Sequence, residues 1–300
     1  MKAYLECIPC LTRQALKAVR LATCDDNVHV SVIRRILATV STMDFEKSPP
    51  EMAQVVHRLI RDLSGNTDPY RALKDRYNRL ALNLYFGLKQ RIESAQRSTE
   101  TAVRLAIAGN IIDFGAPIDE NRLDLNHCVL QALSAPLFGR VDGFIDALSA
   151  AESILYLGDN AGEIVFDRLL IERLPREKIT YVVKGGPIIN DATMSDAVST
   201  GMTDVVRVID NGSDAPGTLL SDCSERFQSE YARADMIIAK GQANYETLSE
   251  ADNRIFFLLR AKCPVVAWHM GCDVGSYVIQ KPLYNKAALN GPIGAGERSI

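Results

Sequence analysis

The sequence predicts an α/β protein, a mostly parallel Rossmann-like sheet flanked by helices, with an N-terminal all-helical domain. Two observations predict it. Up to about residue 100 the apolar residues recur at helical spacing, whereas from Ser153 short apolar runs alternate with amphipathic stretches. Polar residues also collect after nearly every apolar run, as they do where a parallel sheet carries a site at its carboxyl edge. The expected division is a helical domain over residues 1–100 and an α/β metal- and phosphate-binding domain over residues 101–300.

The helical part starts near Pro9, with Leu11, Ala15, Ala18 and Val19 on one face. A second helix fits Val30 to Thr42. Pro49-Pro50 break the chain before a third, Glu51 to Ser64, which ends at Gly65. Asp68-Pro69 open a fourth, with Asp68 as cap and Pro69 in the first turn, and a break near Tyr77. Thr99 to Gly109 is helical again, closed by a turn over Asn110 to Gly115. Val129 to Ala151 reads as a helical entry to the sheet. Strands are expected at Ser153–Leu157, Ile179–Lys184, Asp204–Ile209, Met236–Ala239 and Val265–Trp268. Helices fit between them at Ala161–Glu172, Asp191–Ser199, Pro216–Ala232 and Tyr245–Leu259. From Lys281 the chain is rich in Gly, Asn and Pro and reads as a closing segment.

Composition bounds the function. A chain of 300 residues with 47% hydrophobic and 24% charged residues can bury a large core. A net charge of −3 gives no general attraction to nucleic acid or to an anionic membrane. No apolar run spans a bilayer, and the N-terminus lacks the apolar core of a signal peptide, so the expected location is cytoplasmic. The 7 scattered cysteines are not a disulfide framework. No nucleophile elbow, Walker loop or dinucleotide fingerprint is present.

The chemistry-bearing stretch is Gly158-Asp159-Asn160-Ala161-Gly162-Glu163, where a buried run turns into a helix. A carboxylate and an amide there either cap the helix or hold a hard cation. Lys184-Gly185-Gly186-Pro187, Asn190-Asp191, Asp210-Asn211 and Lys240-Gly241-Gln242-Ala243-Asn244 follow later runs. Asp and Asn oxygens suit Mg²⁺ or Mn²⁺, with Co²⁺ or Ni²⁺ also compatible, and lysines suit phosphate, so the set fits metal-assisted phosphoryl hydrolysis. Cys7 and Cys10 have metal or redox spacing, but the nearby chain adds only Cys24. His269 is placed after the last expected strand. Arg13 and Gln14 reach substrate from the helical domain or lie on a solvated face. Asn110 and Asp113 are read as bracing the domain junction.

The blocks Gly158 to Glu163, Lys184 to Thr193 and Lys240 to Glu246 occur in the order of the domain-of-unknown-function 89 family, whose members include metal-dependent damage-control phosphatases. The chain resembles that family over nearly its whole length. Cys7-Ile8-Pro9-Cys10 and the Gly109-to-Gly115 block resemble its small prokaryotic branch. The resemblance implies a divalent metal held by Asp159, Asn160 and Asp191. Spacing alone does not choose Asp191 over Asp196 or Asp210. It also implies a substrate-contacting loop with Lys240, Gly241 and Asn244. Lys262 lies where related branches carry a phosphate-binding lysine, although their Arg-Thr-x-Lys pattern is incomplete in Leu259-Arg260-Ala261-Lys262. Asp159, Asn160 and Lys240 are the expected catalytic residues; Glu163, Lys184, Lys240, Gly241, Asn244 and Lys262 are expected at the substrate.

The expected function is a metal-dependent phosphomonoester hydrolase. Its substrate would be a small phosphorylated metabolite, a sugar phosphate or a damaged cofactor-related phosphate. A homo-oligomer is compatible with the chain. The alternatives are an S-adenosylmethionine-dependent methyltransferase, whose fold also places an acid after an early strand, and a non-enzymatic metal- or thiol-sensing protein using Cys7, Cys10 and Cys24.

Overall fold

A computed structural model of the chain describes residues 1–109 and 125–282. The chain opens with helices α1 (Cys7–Ala22), α2 (Asp26–Val40), α3 (Pro49–Ser64), α4 (Arg71–Ser94) and α5 (Ser98–Ala108). Pro49 and Pro50 do not interrupt the chain but occupy the first turn of α3, whose N-cap Ser48 and Glu51 form a capping box. The helix expected to break near Tyr77 is one uninterrupted element of 24 residues. It begins at Arg71, after rather than at Pro69. The turn expected at Asn110 to Gly115, with Asn110 and Asp113, lies outside the described residues, as does most of the segment after Lys281.

Next come α6 (Leu125–Ser134), β1 (Leu137–Gly139), α7 (Val141–Ala150), β2 (Ile154–Leu157), α8 (Glu163–Ile171), β3 (Ile179–Val183), α9 (Met194–Ser199) and β4 (Arg207–Asp210). The chain continues through α10 (Glu225–Arg233), β5 (Met236–Lys240), α11 (Gly241–Leu248), β6 (Ile255–Arg260), α12 (Pro264–Met270) and β7 (Tyr277–Gln280). The strands form one sheet in the order β1-β7-β6-β5-β2-β3-β4. All neighbours pair in parallel except β6 with β7.

Several elements differ from the sequence reading. Val265–Trp268 is not a strand. It lies in α12, which Pro264 opens at N1, with the Cys263 sulfur accepting from Val266 N at 3.4 Å. The strand is Ile255–Arg260 instead, the stretch expected to finish the preceding helix; its first five residues are all buried. The expected helical entry is split by β1, and α10 is limited to Glu225–Arg233, with Ser224 as its cap. A short apolar run has the same pattern in a buried strand as in a buried helix, so flanking turn chemistry decides between them.

Alternation along the strands separates two cores. Ile154, Tyr156, Ile179, Tyr181, Met236 and Ile238 pack against α5, α8 and the second half of α4, whereas Leu155, Leu157, Val182, Ile237 and Ala239 pack against α10, α11 and α12. A third core, including Leu11, Ala15, Val32, Ile36, Val56 and Ile60, holds α1, α2 and α3 together. Charged contacts tie these helices to the sheet loops. Arg58, Arg61 and Gln54 of α3 all bind Asp214, and buried Lys74 of α4 pairs with buried Asp196 at 3.0 Å.

Candidate functional site

The chain switches sides beside β2: β3 and β4 add on one side, then β5 and β6 on the other. Such a switch point opens a crevice at the carboxyl ends of the strands. Asp159 and Asn160 leave β2 there, Gly241 follows β5, and the chain after β3 loops back to Asp191. An isolated antiparallel bridge pairs Asn160 with Asp191. Ala161 N donates to Asn190 O and Ala192 N to Asp159 O, each at 2.8 Å. These backbone bonds bring Asp159, Asn160 and Asp191 together from stretches some thirty residues apart in sequence.

A cavity of about 540 Å³ lies over this bridge. Asp159, Asn160, Asn190 and Asp191 line it from the sheet, with Gln242, Glu246 and Lys262 beside them. The helices supply Cys7, Cys10, Arg13 and Gln14 of α1 and Pro49, Pro50, Met52 and Ala53 of α3. Arg13 and Gln14, which also fitted a solvated face, therefore stand on the cavity wall.

Both carboxylates are buried beside other charges. Burial pushes the Asp159 carboxyl well above its usual range; Glu163 and Asp191 push it further, while Lys184 and Lys262 pull it down. Asp191 is pushed up to about 6 by burial, against the pull of Lys184 and Lys74. Its buried Oδ2 has no hydrogen-bond partner. Lys184 Nζ stands 3.5 Å from it, close enough for ion pairing but too far for a strong hydrogen bond. The Asn160 amide nitrogen donates to Asp159 Oδ2 at 2.7 Å and to Glu163 Oε2 at 3.0 Å. A carboxylate oxygen without a hydrogen bond, a second buried carboxylate and an adjacent amide oxygen are a donor set that suits a hard divalent cation. Among the described residues no three His, Cys, Asp or Glu side chains group as metal ligands, so the amide is needed to complete this set.

The other expected residues sit deeper. Lys240, Lys184, Glu163 and Asn244 are all buried, and none of them lines the cavity. Lys240 donates to Glu163 at 2.7 Å, Asp167 at 2.5 Å and Ala106 O at 2.9 Å. Burial opposes its charge, but Asp167 and Glu163 outweigh burial and hold its pKa above the ordinary value. Lys184 binds Gly217 O. Asn244 donates to Lys240 O at 2.8 Å and accepts from Thr218 at 2.7 Å, so it braces the turn into α11. Gly241 has φ +79°, and a Cβ there would lie 1.9 Å from Asp159 Oδ2. Lys262 alone of the expected lysines is exposed on the cavity. His269 lies within α12, not after a strand, with Nδ1 2.7 Å from Tyr245 Oη.

Three contributors escaped the sequence reading. Asp167 accepts from Tyr156 at 2.8 Å and Tyr181 at 2.9 Å beneath the site. Its signal was an acid four residues after Glu163 in a mostly apolar helix. Asn78 of α4 accepts from Gly162 N at 2.7 Å and fixes the turn before α8. Glu246 lines the cavity, and burial pushes its carboxyl up to about 7. Glu246 closed the Lys240-to-Glu246 block but was given no role; Asn78 had no local signal, because only the fold brings its helix to this edge.

Residues 3–278 match the damage-control phosphatase ARMT1-like domain, and the chain belongs to that family. It is 36% identical to a protein of Methanocaldococcus jannaschii described as uncharacterized, over 94% of this chain and 96% of the relative. It is 34% identical to a damage-control phosphatase of Pyrococcus horikoshii, over 94% and 98% of the two chains. It is 33% identical to a damage-control phosphatase of Archaeoglobus fulgidus, over 93% and 98%. A crystal structure of a duf89 family protein from Pyrococcus horikoshii superposes with a TM-score of 0.87 at 33% identity, covering 94% of this chain and all of that one. The family places the chain among the damage-control phosphatases. Among the described residues no helix is long and apolar enough to cross a membrane.

Proposed function

We propose that this chain is a cytoplasmic, metal-dependent phosphomonoesterase acting on small phosphorylated metabolites. Asp159, Asn160 and Asp191 would hold one divalent ion, Mg²⁺ or Mn²⁺ in the first instance. The observation that carries this reading is the bridge that sets Asp191, whose buried Oδ2 has no hydrogen-bond partner and only a 3.5 Å ion pair with Lys184, against Asn160 on the cavity floor. A bound ion would neutralise phosphate oxygens and lower the pKa of a water. Lys262 adds positive charge at the cavity wall and is suited to a phosphate oxygen. Pro49, Pro50, Met52, Ala53 and Ile189 form an apolar wall against which the carbon skeleton of an ester can pack. The volume of about 540 Å³ suits an ester of sugar-phosphate size. Lys240, Lys184 and Asn244 are assigned to holding the loops rather than touching substrate, since all three are engaged below the cavity.

The test is a panel of sugar phosphates and cofactor-like phosphates, assayed after chelator treatment and again with Mg²⁺, Mn²⁺, Co²⁺ or Ni²⁺ restored. Phosphate release that vanishes with chelator and returns with one of the ions is expected. Release that persists in chelator would remove the metal from the mechanism.

A further inference from the structure

An asparagine amide has one end that accepts and one that donates, and only its oxygen can face a cation. The Asn160 amide atom lying between Asp159 Oδ2 and Glu163 Oε2 must be nitrogen, because an oxygen there would face two carboxylate oxygens. The amide oxygen is thereby turned away from both carboxylates. Glu163 is locked in its acceptor role by the groups behind it. Its Oε1 accepts from the Lys240 ammonium at 2.7 Å while its Oε2 accepts from Asn160 at 3.0 Å. Lys240 is fully buried and can only donate. Asp167 holds Lys240 from its other side and is itself held by the Tyr156 and Tyr181 hydroxyls. The chain of contacts from the tyrosines to Asn160 therefore alternates acceptor and donor without a break.

We propose that Glu163 is a positioning residue that sets the direction of the Asn160 amide, so that oxygen rather than NH2 is offered to the metal. This rests on the metal reading given above. It assigns Glu163 to orienting a ligand rather than to touching substrate, and it makes Lys240 and Asp167 the groups that keep Glu163 in that role.

The test is Glu163→Gln, which changes shape little. The new side chain has one acceptor, which Lys240 requires, so its NH2 must turn toward Asn160. Two NH2 groups cannot face each other, and turning Asn160 over would set its oxygen against Asp159 Oδ2, so neither direction of the amide satisfies both neighbours and Asn160 is no longer held in place. Lys240 stays paired with Asp167, so the variant is expected to fold. Mn²⁺ binding to the chelator-treated protein is measured by electron paramagnetic resonance, with circular dichroism in chelator as the folding control. The expected rise in Kd is about 10- to 100-fold, the range for groups that orient metal ligands. Adding Asn160→Asp supplies an acceptor on both sides and restores the net charge, so it should bring Kd back to within about tenfold of wild type. A merely structural role for Glu163 predicts no such rescue. If Glu163→Gln does not fold, Glu163→Ala is expected to show the same loss and Glu163→Asp, which keeps a carboxylate acceptor, to stay within about tenfold of wild type; equal affinities in the two overturn the proposal. Wild-type affinity in the folded Glu163→Gln protein, or a loss that Asn160→Asp does not recover, overturns the proposal. Absence of Mn²⁺ binding by the wild-type protein would instead overturn the metal reading itself, and this inference with it.

Discussion

Replacing Gly241 by Ala should disable the proposed metal site while leaving the fold largely in place. Gly241 opens α11 with φ +79°, and an added Cβ would stand 1.9 Å from Asp159 Oδ2 and 2.2 Å from its Cγ. Real Cβ contacts essentially never fall below 3.0 Å, so the carboxylate would have to retreat by about 1 Å at the least. Metal–ligand distances tolerate about 0.2 Å. A retreat of that size removes Asp159 from the ligand set. The left-handed backbone adds roughly 1–2 kcal/mol for a residue with a side chain. The strain falls on a side-chain end rather than on backbone, so most of the damage should appear in Mn²⁺ affinity. Calorimetric titration with Mn²⁺ is expected to show at least about a tenfold loss, and urea unfolding in chelator a loss of about 1–3 kcal/mol. A folded Gly241→Ala protein with wild-type Mn²⁺ affinity would refute the contact argument and, with it, the place of Asp159 at the ion.

Three further outcomes follow from the same geometry. Lys240→Met leaves the buried Glu163 and Asp167 carboxylates facing each other without their cation, and should cost about 3–5 kcal/mol in urea unfolding; a stability change under about 1 kcal/mol would show that the pair is dispensable. Lys262→Ala, at an exposed position on the cavity, should raise KM for the phosphate ester several-fold with unchanged thermal stability, and an unchanged KM would take Lys262 out of the site. His57 is buried, and burial, helped by Arg61, lowers its pKa to about 3. Because the folded value lies below the unfolded one, its contribution is fully present above about pH 6.5 and shrinks as pH falls. From pH 7 to pH 5 the wild type should lose about 2 kcal/mol more than His57→Phe in urea titrations; equal losses would show that His57 is not buried neutral.

The parallel core was legible because β2, β3 and β5 are short, predominantly apolar runs between turn residues. The same property hid the exchange of β6 and α12. Ile255 to Leu259 and Val265 to Trp268 are both apolar runs, and the difference lies at their borders. Asp252 Oδ1 accepts from Arg254 N at 2.7 Å and closes a turn before β6, while Cys263-Pro264 is a cap followed by an N1 proline. Weighted over apolarity, those two signals give the observed assignment. β1 gave no pattern to find: it has three residues, two of them exposed, and is held by pairing with β7 from the far end of the chain.

At the site, Asp159 and Asn160 were readable as a strand-to-helix turn, whereas the nearness of Asp191 is made by backbone bonds after β3 that no local spacing encodes. The lysines were different, for their direction was written in the strands. Side chains alternate along a strand, so Lys240 must share the face of Met236 and Ile238. Those two pack toward α5 and α8, and that is where the Lys240 ammonium meets Ala106 O, Glu163 and Asp167. Lys184 likewise follows Val182 onto the opposite face and reaches Gly217 O. A lysine ending a strand thus inherits one face of the sheet, and when that face is covered by helices its charge serves the layer beneath the edge. Lys262 follows β6 by two residues, outside the alternation, and it is the lysine that reaches the cavity.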